Sequence, residues 1–105
     1  MSDKVDEITI TQQPGGQNSR QGGKYIAEVA GESATGYLEW EPQNEGVRVA
    51  THTIVPKEIG GRGVAAHLVK ALIADARAHG FKVVPQCWYV AKKFDENPEW
   101  ADLRA

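Results

Sequence analysis

Three glycines in four residues, Gly60, Gly61 and Gly63, stand where the periodicity of this chain changes. Upstream, apolar residues come in short runs: Ile8-Thr9-Ile10-Thr11, Tyr25-Ile26-Ala27-Glu28-Val29, Thr35-Gly36-Tyr37-Leu38-Glu39-Trp40, and the β-branched stretch Val47 to Val55, ended by Pro56. Alternation with a period of two is the mark of strands with one buried face. Downstream, Val64, Ala65, Leu68, Val69, Leu72, Ile73 and Ala76 recur at the spacing of one helical face, with Lys70, Asp75 and Arg77 off it. Arg77 and His79 suit the negative end of such a helix, and Gly80 its left-handed stop.

The breaks between these runs set the pairing. Gly31 to Ser33 reads as a turn, and Pro42, Asn44 and Gly46 close the third strand. Short connections favour antiparallel neighbours. Phe81 to Pro85 reads as a fifth strand, so strand, helix and strand form a right-handed crossover with parallel neighbours. Val90 to Asn97 reads as a short helix halted by Pro98, and Trp100 and Leu103 as a tail folded back on the body. Pro14 to Gly23 has nothing to bury and is expected to be a flexible loop at a hairpin tip. The expected fold class is α+β: an antiparallel meander finishing in one βαβ unit, then a short C-terminal helix. At 105 residues this is one domain spanning 1–105, with a single modest core.

Charge excludes some partners. The formal net charge is −2, which leaves no general basic footprint for nucleic acid. No apolar stretch is long enough to span a bilayer, and Met1 to Glu7 lacks the apolar run of a signal peptide. The single cysteine, Cys87, rules out an internal disulfide and a cysteine zinc cage. His52, His67 and His79 show neither metal-ligand spacing nor carboxylate company, so no metal is expected. A cytoplasmic, reducing setting is the expectation.

The segment Pro56-Lys57-Glu58-Ile59-Gly60-Gly61-Arg62-Gly63-Val64-Ala65 joins strand four to the helix. The first N–H groups of a helix have no internal partner, and they point outward with the positive end of the dipole. Glycines let such a backbone approach a ligand closely, and Arg62 and Lys57 add charge. The two readings are an anion site and a tight turn that needs positive φ. Gly61-Arg62-Gly63-Val64-Ala65-Ala66 fits the dinucleotide pattern G-x-G-x-x-A. A Rossmann unit, however, wants a tighter turn, an acidic residue ending the next strand, and a second nucleotide half. A Walker loop is excluded because no Lys-Ser or Lys-Thr follows the glycines.

Taken together, His52 to Pro56, the G-x-G at Gly61 and Gly63, the amphipathic helix, Cys87-Trp88-Tyr89 and Asn97-Pro98 resemble the GNAT N-acetyltransferases. The nearer likeness is to short single-domain members with a Cys-Trp-Tyr motif, over about residues 24–100. Glu58-Ile59-Gly60-Gly61-Arg62-Gly63 matches the family's Q/R-x-x-G-x-G/A signature except at its first position, where Glu58 stands. The resemblance implies a GNAT-like fold with acetyl-CoA (coenzyme A) as the cofactor. It implies that two strands splay apart with pantetheine between them. Backbone groups of Ile54 and Val55 would meet the pantetheine, and Gly61, Arg62, Gly63, Val64 and Ala65 would hold the pyrophosphate.

Acetyl transfer from a thioester needs a polarised carbonyl, a deprotonated amine and an acid for the departing thiolate. Larger members use a tyrosine seven residues after an asparagine, and the matching positions here are Cys87 and Phe94. Phe94 cannot donate a proton, which leaves Tyr89 as a substitute acid and Cys87 as the candidate catalytic residue, as nucleophile or as acid. A lone cysteine that simply packs is the alternative for Cys87. His52 is either a proton relay or a histidine bonded within the sheet, and Lys92 and Lys93 either meet the 3′-phosphate or form a solvated face. The N-terminal region offers strand and loop where larger members carry acceptor-binding helices, so an open, shallow site for an unidentified amine or protein acceptor is expected. The readings are an acetyl-CoA-dependent N-acetyltransferase, a non-catalytic acyl-CoA-binding module, or an interaction domain that has lost the ligand.

Overall fold

The computed structural model of the chain describes residues 7–14, 22–44 and 46–105. Five strands form one sheet in chain order: β1 Ile8–Pro14, β2 Gly23–Val29, β3 Thr35–Asn44, β4 Val47–Ile54 and β5 Lys82–Pro85. The first three pairings are antiparallel and β4 with β5 is parallel. A 3-10 turn at Lys57–Ile59 leads into helix α1, Val64–His79, and β5 is followed by helix α2, Trp88–Glu96, and a 3-10 segment, Pro98–Leu103. This is the α+β architecture, meander plus βαβ, that the alternating patterns imply.

The core lies between one face of the sheet and the helices. Tyr25, Ala27, Leu38 and Ala50 meet Leu68, Val69, Leu72 and Ala76 of α1 there, all buried. Leu68, Leu72 and Ala76 share a face because they are four residues apart. Gly80 ends α1 at φ 77°, its N–H donating to the Ala76 carbonyl at 2.8 Å. The tail does fold back: Leu103 is buried, and Ala105 N–H donates to the Val83 carbonyl at 2.8 Å. No helix among the described residues is long and apolar enough to cross a membrane.

β4 ends one residue before Val55, β5 begins one residue after Phe81 and α2 ends one residue before Asn97, and three boundaries differ by more. The expected loop over 14–23 is shorter at both ends, because Pro14 and Gly23 pair as the last rungs of β1 and β2. Its stretch 15–21 lies outside the described residues. Gly22 and Gly23 are buried, and a Cβ on Gly23 would lie 3.1 Å from the Trp40 ring and 2.9 Å from the Gln13 carbonyl oxygen. Glycine is needed there for close approach, which a reading based on polarity misses. Likewise β3 runs through Pro42 to Asn44. Among the described residues, pairing with β2 stops at Trp40, so beyond it β3 has one described neighbour, β4, and a strand with a single neighbour tolerates the missing N–H of a proline. Finally, α2 begins at Trp88, two residues earlier than expected.

A buried polar cluster closes the far end of α1. Asp75, read as lying off the apolar face, is 8% exposed. Tyr25 Oη–H donates to Asp75 Oδ2 at 2.6 Å, and Arg48 Nη1 lies 3.3 Å from the same oxygen and 3.1 Å from Tyr25 Oη. The Arg48 guanidinium is sandwiched between the rings of Trp40 and Phe81, 3.8 and 4.0 Å from their centroids. His79 Nδ1 reaches Asp75 Oδ1 at 2.6 Å, one helical turn on. Burial, then the hydrogen bond to Asp75, pushes the Tyr25 hydroxyl well above the ordinary phenol range. The sequence reading gave Arg48 no role and His79 no carboxylate, and both are corrected here. The Asp75–His79 spacing of four was visible in the sequence.

Candidate active site

The glycine segment forms an exposed shelf at the start of α1. Gly61 and Gly63 adopt φ of +76° and +79°, a region that residues with a Cβ enter only with strain. A Cβ on Gly61 would meet nothing within 4 Å, so the site asks for glycine because of backbone sign rather than crowding. Gly63 caps α1 without any side-chain hydrogen bond to its N-terminus. His67 N–H donates to the Gly63 carbonyl at 3.0 Å, and His67 Nδ1 reaches the same oxygen at 2.8 Å. Among the described residues, the N–H groups of Gly61, Gly63, Val64, Ala65 and Ala66 donate no backbone bond. They stand at the positive end of a 16-residue helix.

The other cofactor-site residues sit differently. Val64 is buried and its side chain belongs to the core, so it can contribute to the shelf only through its backbone. Arg62 turns its guanidinium to Glu32 of the β2–β3 turn, at 3.2 Å. Lys92 and Lys93 pair with Glu96 on their own helix, at 3.9 and 3.2 Å, and Lys93 also lies over the Tyr89 ring.

Next to the shelf the sheet opens. Pairing of β4 with β5 ends at Ala50 and Pro85, while β4 continues to Ile54. The break has two local causes. Pro85 and the turn into α2 stop β5, with Cys87 N–H making one last bond to the Ala50 carbonyl at 2.9 Å. In β4, the register against β3 shifts between Ala50 and His52, which makes Thr51 an extra residue. Such a bulge bends its strand. The edge Thr51–Ile54 is therefore unpaired on the β5 side among the described residues. Val55 packs on the core, whereas Ile54 is 46% exposed beside this gap.

Cys87 stands at the mouth of the gap as the N-cap of α2, half-buried, its Sγ 3.5 Å from Thr53 Oγ1. Partial burial pushes its pKa up. Hydrogen bonds from the Thr53 hydroxyl and from the backbone of Val90, Tyr89 and Thr53 outweigh it, so the thiol lies below its ordinary range. Trp88, 73% exposed, follows it and meets Tyr89 edge to face. Phe94 is buried against Trp100. His52 is on the opposite, uncovered face of the sheet, its Nδ1 3.4 Å from Glu39 Oε1 across the strands. It too has carboxylate company, contrary to the sequence reading. Sequence reasoning missed Thr53, Glu39 and the Thr51 bulge, because all three depend on pairing register. Among the described residues, no three His, Cys, Asp or Glu side chains gather as a metal site requires.

Shelf, gap and thiol thus adjoin along one edge of β4. Residues 24–103 match the GCN5-related N-acetyl-transferase family. Protein NATD1 of Mus musculus is 30% identical over 82 residues, covering 78% of this chain and 74% of that protein. Protein NATD1 of Homo sapiens and of Xenopus tropicalis are each 43% identical over 47 residues, 42% and 43% of their lengths. This chain belongs to the GCN5-related N-acetyltransferase family.

Proposed function

We propose that the protein is an acetyl-CoA-dependent N-acetyltransferase in which Gly61, Arg62, Gly63, Val64 and Ala65 bind the pyrophosphate through backbone N–H groups and Cys87 accepts the acetyl group. The observation that carries this reading is that the N–H groups of Gly61, Gly63, Val64, Ala65 and Ala66, at the α1 N-terminus, donate no backbone bond among the described residues and stand close to an unpaired stretch of β4. An anion there is stabilised by both the donors and the dipole. The free edge at Ile54 and the backbone of Val55 suit an amide-bearing pantetheine arm, which can bond to it as a strand would.

Acetyl-CoA supplies an activated acetyl thioester as co-substrate. The Cys87 thiolate, favoured by Thr53 and the α2 backbone, forms the Sγ–carbon bond as the carbon–sulfur bond to CoA breaks. The departing sulfur takes up a proton, and an acceptor amine then displaces Sγ. The Arg62 side chain contributes charge only to the extent that Glu32 does not hold it.

Titration calorimetry with CoA tests the binding half. Binding is expected in the wild type and lost in Gly63→Val; equal affinity in both removes the assigned site. Intact mass after exposure to acetyl-CoA tests the thiol, with one acetyl group on Cys87 as the expected result. If no acetyl appears on Cys87 and Cys87→Ala still turns over fully, the thiol has no part. If no acetyl appears but Cys87→Ala is inactive, Cys87 acts as the acid instead.

A further inference from the structure

His67 is tied to the backbone of the glycine shelf and has no part in the function proposed above. Its Nδ1 lies 2.8 Å from the Gly63 carbonyl oxygen, and its own backbone N–H donates to the same oxygen at 3.0 Å. A carbonyl oxygen can only accept, so the proton of the neutral ring sits on Nδ1. Nε2 is then an acceptor, and it becomes a donor only when the ring takes up a second proton. Side chains on a helix lean toward its N-terminus and cover the preceding turn. The exposed ring accordingly flanks Gly63, and a Cβ on Gly63 would have His67 Nδ1 as its nearest neighbour, at 3.9 Å. That turn carries the N–H groups of Gly63, Val64, Ala65 and Ala66, which donate no backbone bond among the described residues.

The charges around the shelf leave room for a further cation. A diphosphate diester brings two negative charges. From the surrounding elements the charged groups are Lys57 and Glu58 of the 3-10 turn, Arg62 of the glycine segment, Glu32 of the β2–β3 turn and Lys70 of α1 itself. Glu32 draws Arg62 at 3.2 Å, Glu58 follows Lys57 directly, and Lys70 stands about one turn farther from the N–H donors than His67 does. Lys92 and Lys93 are engaged by Glu96 on α2.

We infer that His67 is a side-chain ligand of the cofactor diphosphate: as imidazolium it donates from Nε2 to a phosphate oxygen while Nδ1 stays on Gly63, so cofactor affinity rises when the ring is protonated. This rests on the acyl-CoA reading above and adds a pH-regulated contact to its backbone donors. The neutral ring would turn a lone pair toward the same anion, so loss of the proton removes the attraction. The bond to Gly63 orients the ring before any ligand arrives, which keeps the ordering cost of the contact low. Linkage fixes the sign: a ligand that binds the imidazolium form more tightly raises the pH at which the ring titrates, by the same factor.

The probe is dephospho-coenzyme A, which keeps the diphosphate and lacks the 3′-phosphate, a group that itself titrates near pH about 6. Calorimetry on the full chain should show about tenfold tighter binding at pH about 5.5 than at pH about 8, the span over which an imidazole changes charge. His67→Gln should lose this slope and bind at both pH values as the wild type does at the higher one. His67→Lys, with a fixed charge, should keep the tighter binding throughout. His52 and His79 are common to all three proteins, so the comparison isolates position 67. In nuclear magnetic resonance, the Cε1–H signal of His67 should titrate about one pH unit higher in the saturated protein than in the free one, the counterpart of tenfold in affinity. A wild-type affinity without slope, an equal slope in His67→Gln, or a His67 titration that the ligand leaves in place overturns the inference while the acyl-CoA reading stands. Absence of binding by the wild type at any pH overturns both.

Discussion

The two ends of α1 are built on opposite principles. At its C-terminus, Asp75 and His79 are tied to Tyr25 and Arg48 by short contacts, and Arg48 is held between two rings. At its N-terminus, two left-handed glycines present a bare turn whose cap has no side-chain bond. One end spends its polar groups on the fold, and the other keeps its N–H donors available. The same helix dipole serves both: it favours His79 at one end and an anion at the other. The difference teaches where stability and binding should separate under mutation.

Asp75→Ala should have the largest effect. It removes at once the acceptor of the buried Tyr25 hydroxyl and the counter-charge of the Arg48 guanidinium. Removing one member of such a buried charge cluster costs about 3–5 kcal/mol. Chemical denaturation should show that loss, while CoA affinity of the folded protein stays within twofold. A stability loss below 1 kcal/mol (roughly the worth of an exposed ion pair) would erase the distinction between the two ends.

Gly61→Ala should do the reverse. Its Cβ meets no atom within 4 Å, so the fold pays only for positive φ, about 1–2 kcal/mol. If the turn receives a diphosphate, CoA affinity should fall at least tenfold by calorimetry. A stability loss with unchanged affinity would mean that the glycines serve the turn alone.

The alkaline limb of the stability curve sharpens the comparison further. The folded-state pKa of Tyr25 is raised above the ordinary phenol value, so the unfolded chain loses this proton first. Stability associated with this residue is therefore present below pH about 10 and is lost as pH rises beyond it, by about 1.4 kcal/mol per pH unit. Tyr25→Phe should flatten that limb in denaturation measured between pH 9 and 11. An equally steep limb in both proteins would assign it to other groups.

How much of this was legible in the sequence follows from which interactions are local. The α1 face, its Gly80 stop and the glycine shelf are written in spacing and residue type alone, and they are found where spacing puts them. Position 75 was misread because a carboxylate on an apolar stripe looks like an off-face residue until Tyr25 and Arg48 arrive from distant strands. The gap beside Cys87 depends on a one-residue register shift at Thr51, which no alternation pattern reveals because the bulge keeps alternation on both sides. Thr53 meets Cys87 only through that register. The family resemblance singled out Cys87 and the glycine turn as candidates, while the pairing of Glu39 with His52 depends on strand register.

The smallest expected effect concerns Glu32, the carboxylate that faces Arg62 at 3.2 Å. Both side chains are about one-third exposed, so the pair should add no more than about 1 kcal/mol to stability. Its interest lies in competition: a diphosphate on the shelf and Glu32 both attract the same guanidinium. Glu32→Gln should leave thermal stability nearly unchanged and raise CoA affinity about two- to threefold at low ionic strength, since only part of one screened charge is redirected. The gain should shrink in 0.5 M salt, where the Debye length falls to about 4 Å, whereas the Gly61→Ala loss, being one of backbone geometry, should persist. An affinity gain that survives high salt would point to a change in the shape of the β2–β3 turn rather than to charge, and would place Arg62 outside the binding energetics.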